Sequence, residues 1–232
     1  MTGLNIMSSR KILIVTPLQE EYNDLFDSLS SLGLDSHKDK IGKLEVHRFP
    51  ELDGTLARGG HGKSQFGIQT QHLLDHGRFD LVICAGAAGA LAPQVKVGDL
   101  IVATFTVEHD FNNKFSIKPK PKFAGDTESL EQLKALQLPE ARFKVHFGIM
   151  AGGDEDIIEI QRGKELRDLH TALAVAWEGV GGARACAFSE APYLELRGAT
   201  DTADHAAPVV FYINLKIVMK NIAQLLVRWL RN

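Results

Sequence analysis

The stretch Leu81-Val-Ile-Cys-Ala-Gly-Ala-Ala-Gly-Ala-Leu91 constrains this chain more than any other. Leu81 to Ala85 is a short apolar run of the kind that fills a buried strand, and it leads into Gly86, Ala87, Ala88, Gly89 and Ala90. Residues this small leave the main chain bare, so a loop is expected here whose N–H groups a ligand can approach closely. In an open α/β sheet, ligands bind beyond the carboxyl ends of the strands. The segment therefore marks a candidate site before any chemistry is assigned to it.

Strand and helix patterns alternate around it. Residues 11–16, 80–85, 99–104, 143–151, 172–177 and 193–199 read as strands. Residues 19–32, 63–76, 161–169, 179–190 and 207–229 carry helical spacing of apolar positions. Residues 44–49 and 54–58 suggest a short antiparallel pair around Leu52-Asp53-Gly54. Residues 111–123, with Pro119, Pro121 and several lysines, read as an exposed loop. The alternation predicts one doubly wound, mostly parallel α/β domain over residues 11–232, after a flexible extension at residues 1–10.

Composition narrows the class. With 232 residues, 44% of them hydrophobic, the chain can bury a large core, and a net charge of -3 gives no reason to expect nucleic acid or an anionic membrane as partner. Cys84 and Cys186 lie in apolar surroundings far from any CxxC spacing, which predicts buried, reduced thiols and a cytoplasmic setting. No apolar run is expected to span a membrane, and the polar N-terminus does not read as a signal sequence.

Several motifs fail. Arg58-Gly-Gly-His-Gly-Lys-Ser64 ends like a phosphate loop, but Ala57 stands where that loop needs its first glycine. No GxGxxG follows the first strand. His72 and His76 are four apart without an HExxH, and so read as a solvated helix face. The lysines from Lys114 to Lys122 have few interleaved aromatics and read as a solvated loop.

Acids at strand ends are more informative. Glu20 and Glu21 follow the first strand, Glu178 follows the strand at 172–177, and Asp201 follows the strand at 193–199. Each precedes a helix and so fits a capping role. If the sheet is parallel, all three ends face the edge that carries Gly86–Gly89. One cleft then holds acids suited to breaking a glycosidic bond, one protonating the leaving group and one activating water.

Thr16-Pro-Leu-Gln-Glu-Glu21, Gly62-Lys63, Gly86-Ala-Ala-Gly-Ala-Leu91, Val97-Gly-Asp99, Trp177-Glu178 and Arg197-Gly-Ala-Thr-Asp201 occur in an order and spacing that resembles the purine nucleoside phosphorylase/nucleosidase superfamily. The closest branch is the 5′-methylthioadenosine/S-adenosylhomocysteine nucleosidases. The resemblance implies a single α/β domain with a mixed central sheet, a homodimer, a nucleoside as the small-molecule partner, and neither metal nor organic cofactor. It gives Glu21 the role of activating water, Glu178 that of holding the ribose hydroxyls, and Asp201 that of protonating the purine. It also puts Ala87, Ala88, Gly89, Trp177, Asp154, Asp156, Ile157 and Arg197 around the substrate, and brings Glu108, His109 and Asp110 near a neighbouring subunit's site. Ala87 replaces the branch's usual serine, Ala176-Trp177-Glu178 its Glu-Met-Glu, and Asp156 an aromatic residue that stacks on the base. The arginines that phosphorylases use are replaced by Pro17-Leu18-Gln19 and Ile83-Cys84-Ala85, which favours hydrolysis. A non-catalytic nucleoside-binding protein, a phosphorylase and a futalosine-type hydrolase remain as alternatives.

Overall fold

The leucine- and isoleucine-rich runs find their burial in one sheet. The structure is a computed structural model that describes residues 10–116 and 118–231. Apart from Arg10, the expected N-terminal extension lies outside the described residues. Arg10 itself is anchored, 3.1 Å from Asp126.

In chain order the elements are β1 (Ile12–Thr16), α1 (Gln19–Ser31), β2 (His37–Ile41), β3 (Leu44–Phe49), β4 (Gly54–Arg58), α2 (Lys63–His76), β5 (Leu81–Ala90), β6 (Leu100–Glu108), β7 (Lys122–Ala124), α3 (Thr127–Ala135), β8 (Val145–Gly152), α4 (Ile160–His170), β9 (Ala172–Ala176), α5 (Gly179–Phe188), β10 (Tyr193–Asp201) and α6 (Ala207–Leu230). β4, β1, β5 and β10 lie side by side and parallel, with the β3–β2 hairpin continuing the sheet beyond β4. On the other side β10 meets β6 antiparallel, β6 runs parallel to β8, and β8 to β9. β9 then returns to β5 in antiparallel register, so these five strands close a ring. The result is a mixed sheet flanked by helices. One core lies under α1 and α6, where Leu25, Leu29, Val218, Ile222 and Leu226 pack on Ile14, Ile83 and Leu196. A second lies under α2 and α5, around Phe66, Leu73, Val82 and Tyr193.

Three sequence readings are corrected. Gly86 to Ala90 is not a loop but the second half of β5. Arg197, Gly198 and Ala199 pair with Gly86, Ala87 and Ala88 on one side, and Val175 and Ala174 pair with Gly89 and Ala90 on the other. The small side chains let two ladders crowd this segment. Glu178 does not reach the site along a parallel edge: β9 runs against β5, and its end turns back beside Ala87 and Ala88. Finally, α6 is long and apolar enough by length and composition to cross a membrane, contrary to expectation. Here one stripe of it lies in the main core, with Leu215, Met219 and Leu225 buried. The sequence reading also missed β2, β7 and α3, whose hydrophobic stripes are short or absent. Asp126 caps α3 by accepting the Ser129 N–H.

α2 and α5 approach so closely that they meet backbone to backbone. A Cβ on Gly181 would overlap the carbonyl oxygen of Lys63, and one on Gly67 would press on the Gly181 carbonyl at 3.1 Å. Gly181→Ala should therefore cost about 1–3 kcal/mol in urea unfolding, as overpacked sites do. An unchanged midpoint would mean that the helices part without penalty.

Candidate active site

Where the outer half of β5 meets the ends of β9 and β10, a cavity of about 400 Å³ opens. Glu21 enters it from the third position of α1 and is 2% exposed. Its Oε2 accepts the Leu18 N–H at 2.8 Å, capping the helix, while Oε1 accepts the Ala87 N–H at 2.7 Å. Capping and cleft geometry thus belong to one carboxylate. Ala87 can offer its N–H because β1 ends at Thr16 and β9 pairs only from Gly89 onward, leaving that edge of β5 open. Burial above all, reinforced by the charge of Glu178, pushes the Glu21 carboxyl from its ordinary 4.5 up to about 7, against the pull of Arg197 and the two N–H groups. The folded state therefore binds this proton more tightly than the unfolded chain does. The stabilisation is complete below about pH 4.5 and is lost as pH rises to about 7, a span that corresponds to about 3 kcal/mol.

Glu178 stands at the start of α5, its Oε1 accepting the Gly62 N–H at 3.4 Å and its Oε2 lying 3.5 Å from Arg197. Arg197 is 1% exposed. It donates Nε–H to Glu195 Oε1 at 2.9 Å, Nη1–H to the Ala87 carbonyl at 3.2 Å and Nη2–H to Cys84 Sγ at 3.3 Å. Burial raises the Cys84 thiol well above its ordinary range, so it meets the guanidinium as a neutral group. Gly86 makes this crowding possible, since a Cβ there would sit 2.7 Å from both Arg197 Nη1 and Glu21 Oε1.

Asp201 closes the opposite wall. Its Oδ1 accepts the Ala203 N–H at 2.9 Å and its Oδ2 the Thr200 hydroxyl at 2.8 Å. Burial still raises its proton affinity, outweighing both hydrogen bonds. Ala88 and Gly89 line the floor, with Ala176 and Trp177 beside them. The Trp177 ring meets His61 edge to face, centroids 4.6 Å apart. Glu155, Asp156 and Ile157 form the rim, and Arg162 grips Glu155 with two bonds of 2.8 Å.

Of the residues expected at the site, Glu21, Glu178, Asp201, Ala87, Ala88, Gly89, Trp177, Asp156, Ile157 and Arg197 line one cavity. Asp154 does not. Its carboxylate accepts the Lys63 N–H at 2.8 Å and is spent on fastening the rim to the start of α2. Glu108 and Asp110 hold the Lys63 ammonium at 3.0 and 2.6 Å, outside this cavity. Sequence reasoning missed His61, Thr200, and the aromatic pair Phe211 and Tyr212 at the start of α6. It also missed Glu195, an acid inside an apolar strand and two residues before an arginine, a spacing that places both on one face.

A ringed mixed sheet with a cleft of buried acids beside a glycine–alanine strand defines a class. Residues 11–231 match the phosphorylase superfamily, and the chain belongs to it. It is 27% identical to a 5′-methylthioadenosine/S-adenosylhomocysteine nucleosidase of Tolumonas auensis over 227 residues, 94% of each chain. It is 26% identical to the aminodeoxyfutalosine nucleosidase of Campylobacter jejuni, over 87% of this chain and 90% of that one. Among solved structures, the S-adenosylhomocysteine nucleosidase of Streptococcus pyogenes in complex with 5-methylthiotubericidin gives a TM-score of 0.84 at 25% identity, covering 98% of both chains.

Arg197 is the cation among three buried carboxylates, Glu21, Glu178 and Glu195. Arg197→Met should cost about 3–5 kcal/mol at pH 8 in urea unfolding, because the acids are left buried and unpaired. The loss should shrink at pH 5, where Glu21 holds its proton and no longer repels its neighbours. Equal losses at both values would contradict this account.

Proposed function

We propose that this chain is an N-ribosyl hydrolase acting on purine nucleosides of the 5′-methylthioadenosine/S-adenosylhomocysteine type, working as a cytoplasmic homodimer in purine and methionine salvage. The observation that carries the reading is the convergence of Glu21, Glu178 and Asp201 on one cavity beside Ala87–Gly89. The relatives at 26–27% identity over most of the chain, both nucleosidases, support the hydrolysis, and the one at 27% supports this substrate type.

Breaking the N-glycosidic bond moves its electron pair onto the purine and leaves positive charge on the ribose. Asp201, whose burial favours the protonated form, gives its proton to the departing base. Glu178 accepts hydrogen bonds from the ribose hydroxyls, and its negative charge steadies the oxocarbenium-like sugar. Water adds at the anomeric carbon while Glu21 takes up its proton. One water is consumed, and free base and free sugar leave. Trp177 and the α6 aromatics supply an apolar wall for ribose and its 5′ substituent. Within this class of reaction, the futalosine-type substrate is the second reading. The acid at Asp156 on the rim favours it, since an adenine-stacking aromatic is absent from that position.

Incubation with methylthioadenosine, adenosylhomocysteine, adenosine and inosine, with and without phosphate, separates the alternatives. Free base should appear without phosphate; strict phosphate dependence would sink hydrolysis, and ligand-induced stabilisation with no base release would indicate a binding protein. Asp201→Asn should lower kcat by about a hundredfold or more while leaving the thermal midpoint near that of the wild type. The kcat/KM profile should rise as pH passes through about 7, where Glu21 loses its proton and becomes a base. A flat profile from pH 5 to pH 8 would remove Glu21 from that role.

A further inference from the structure

Glu195 is a fully buried carboxylate that the proposed reaction does not use. It shares a face of β10 with Tyr193 and Arg197, turned away from Leu194 and Leu196 in the main core. Both its oxygens are engaged: Oε1 accepts the Arg197 Nε–H at 2.9 Å, and Oε2 accepts the Thr106 hydroxyl of β6 at 2.5 Å. Space for it exists because residue 179 is glycine, where any Cβ would overlap the Glu195 carboxylate.

Glu195 thereby decides how Arg197 is shared. Its grip on the Nε edge leaves the other edge to the Ala87 carbonyl, Cys84 and, at 3.5 Å, Glu178. Among the described residues Arg197 forms no direct ion pair with Glu21; Glu21 is met instead by two backbone N–H groups and by the charge of Glu178. The charged and titratable groups around Arg197 come from α1 (Glu21), β5 (Cys84), the start of α5 (Glu178) and β10 itself (Glu195).

We propose that Glu195 is a positioning residue for Glu21: by holding the Nε edge of Arg197 and opposing its charge, it keeps the guanidinium off Glu21 and sets the pH at which that acid becomes a base. The proposal deepens the reading of Glu21 as the water-activating group and rests on it for its catalytic meaning, but not for its electrostatics. A carboxylate freed to face an unshared guanidinium holds its proton less tightly, typically by about one pH unit or more.

The test is a titration of side-chain carboxyls by carbon-13 NMR on the full chain, with the Glu21 resonance assigned from its loss in Glu21→Gln. In the wild type its midpoint should fall near 7. Glu195→Gln keeps an acceptor for Arg197 and a partner for Thr106 but removes the charge, and should lower the midpoint by about one unit. The double variant Gly179→Ala with Glu195→Val fills the vacated space with carbon and also frees Arg197, and should lower it further. It serves equally if the glutamine variant does not fold. The acid limb of kcat/KM should move with the midpoint, whereas a merely structural role would depress kcat at every pH and leave the limb in place. A Glu21 midpoint unchanged in either folded variant overturns the proposal. If the wild type cuts no purine nucleoside, the nucleosidase reading falls, and the titration still decides what Glu195 does to Glu21.

Discussion

The double pairing of β5 is the constraint on which the rest of the molecule depends. Its first half is an ordinary central strand between β1 and β10; its second half loses β1, keeps β10 and gains β9 from the opposite direction. That exchange of neighbours bends a parallel sheet into a ring. It also leaves the Ala87 N–H for Glu21 rather than for another strand. Larger side chains at Gly86 or Gly89 would press on Arg197 and Glu21, or on Asp201 and Ala203. The compositional oddity of the segment is thus a packing requirement and a requirement of the cleft at once.

Electrostatics at the base of the cleft follow from too many acids for one cation. Glu21, Glu178 and Glu195 surround Arg197, each at most 6% exposed. In a low-dielectric interior such a group resolves its repulsion by keeping a proton. Proton affinity is raised at Glu21, by burial first and by the charge of Glu178 second, against the pull of Arg197. Asp201, on the far wall, has no cation bonded to it among the described residues and keeps its proton affinity high through burial. The Asp201 wall can therefore give a proton, and the Glu21 wall can take one above about pH 7, where Glu21 has given up its own.

Much of this was legible in the sequence. The helix at 207–229 carried a clear apolar pattern and the one at 63–76 an imperfect one, and the alternation of elements set the α/β class. The three acids were found because each follows a strand, and strand ends are where α/β proteins place chemistry. What failed was direction. Nothing local in residues 172–176 says that this strand runs against β5: all five are apolar, as in a buried parallel strand, and β9 does run parallel to its other neighbour, β8. The glycine–alanine strand was read as a loop because propensity speaks against extended structure there, and tertiary pairing overrode it. Asp154 was placed in the cleft by its neighbours, yet a one-residue step along the rim turns a side chain from cavity to backbone. α3 escaped notice because Asp126 and Ser129 anchor it as much as its apolar stripe does.

Glu195 and residue 179 also imply an order of events. The acid cannot occupy its place while residue 179 bears any side chain, because the two would share the same volume. If the Cβ at 179 is removed before the acid is introduced, the intermediate carries a small void, whereas the reverse order meets a steric clash. The two positions are epistatic, and the open route between their states is narrow. Substituting either one alone in a related chain will misreport what the pair contributes together.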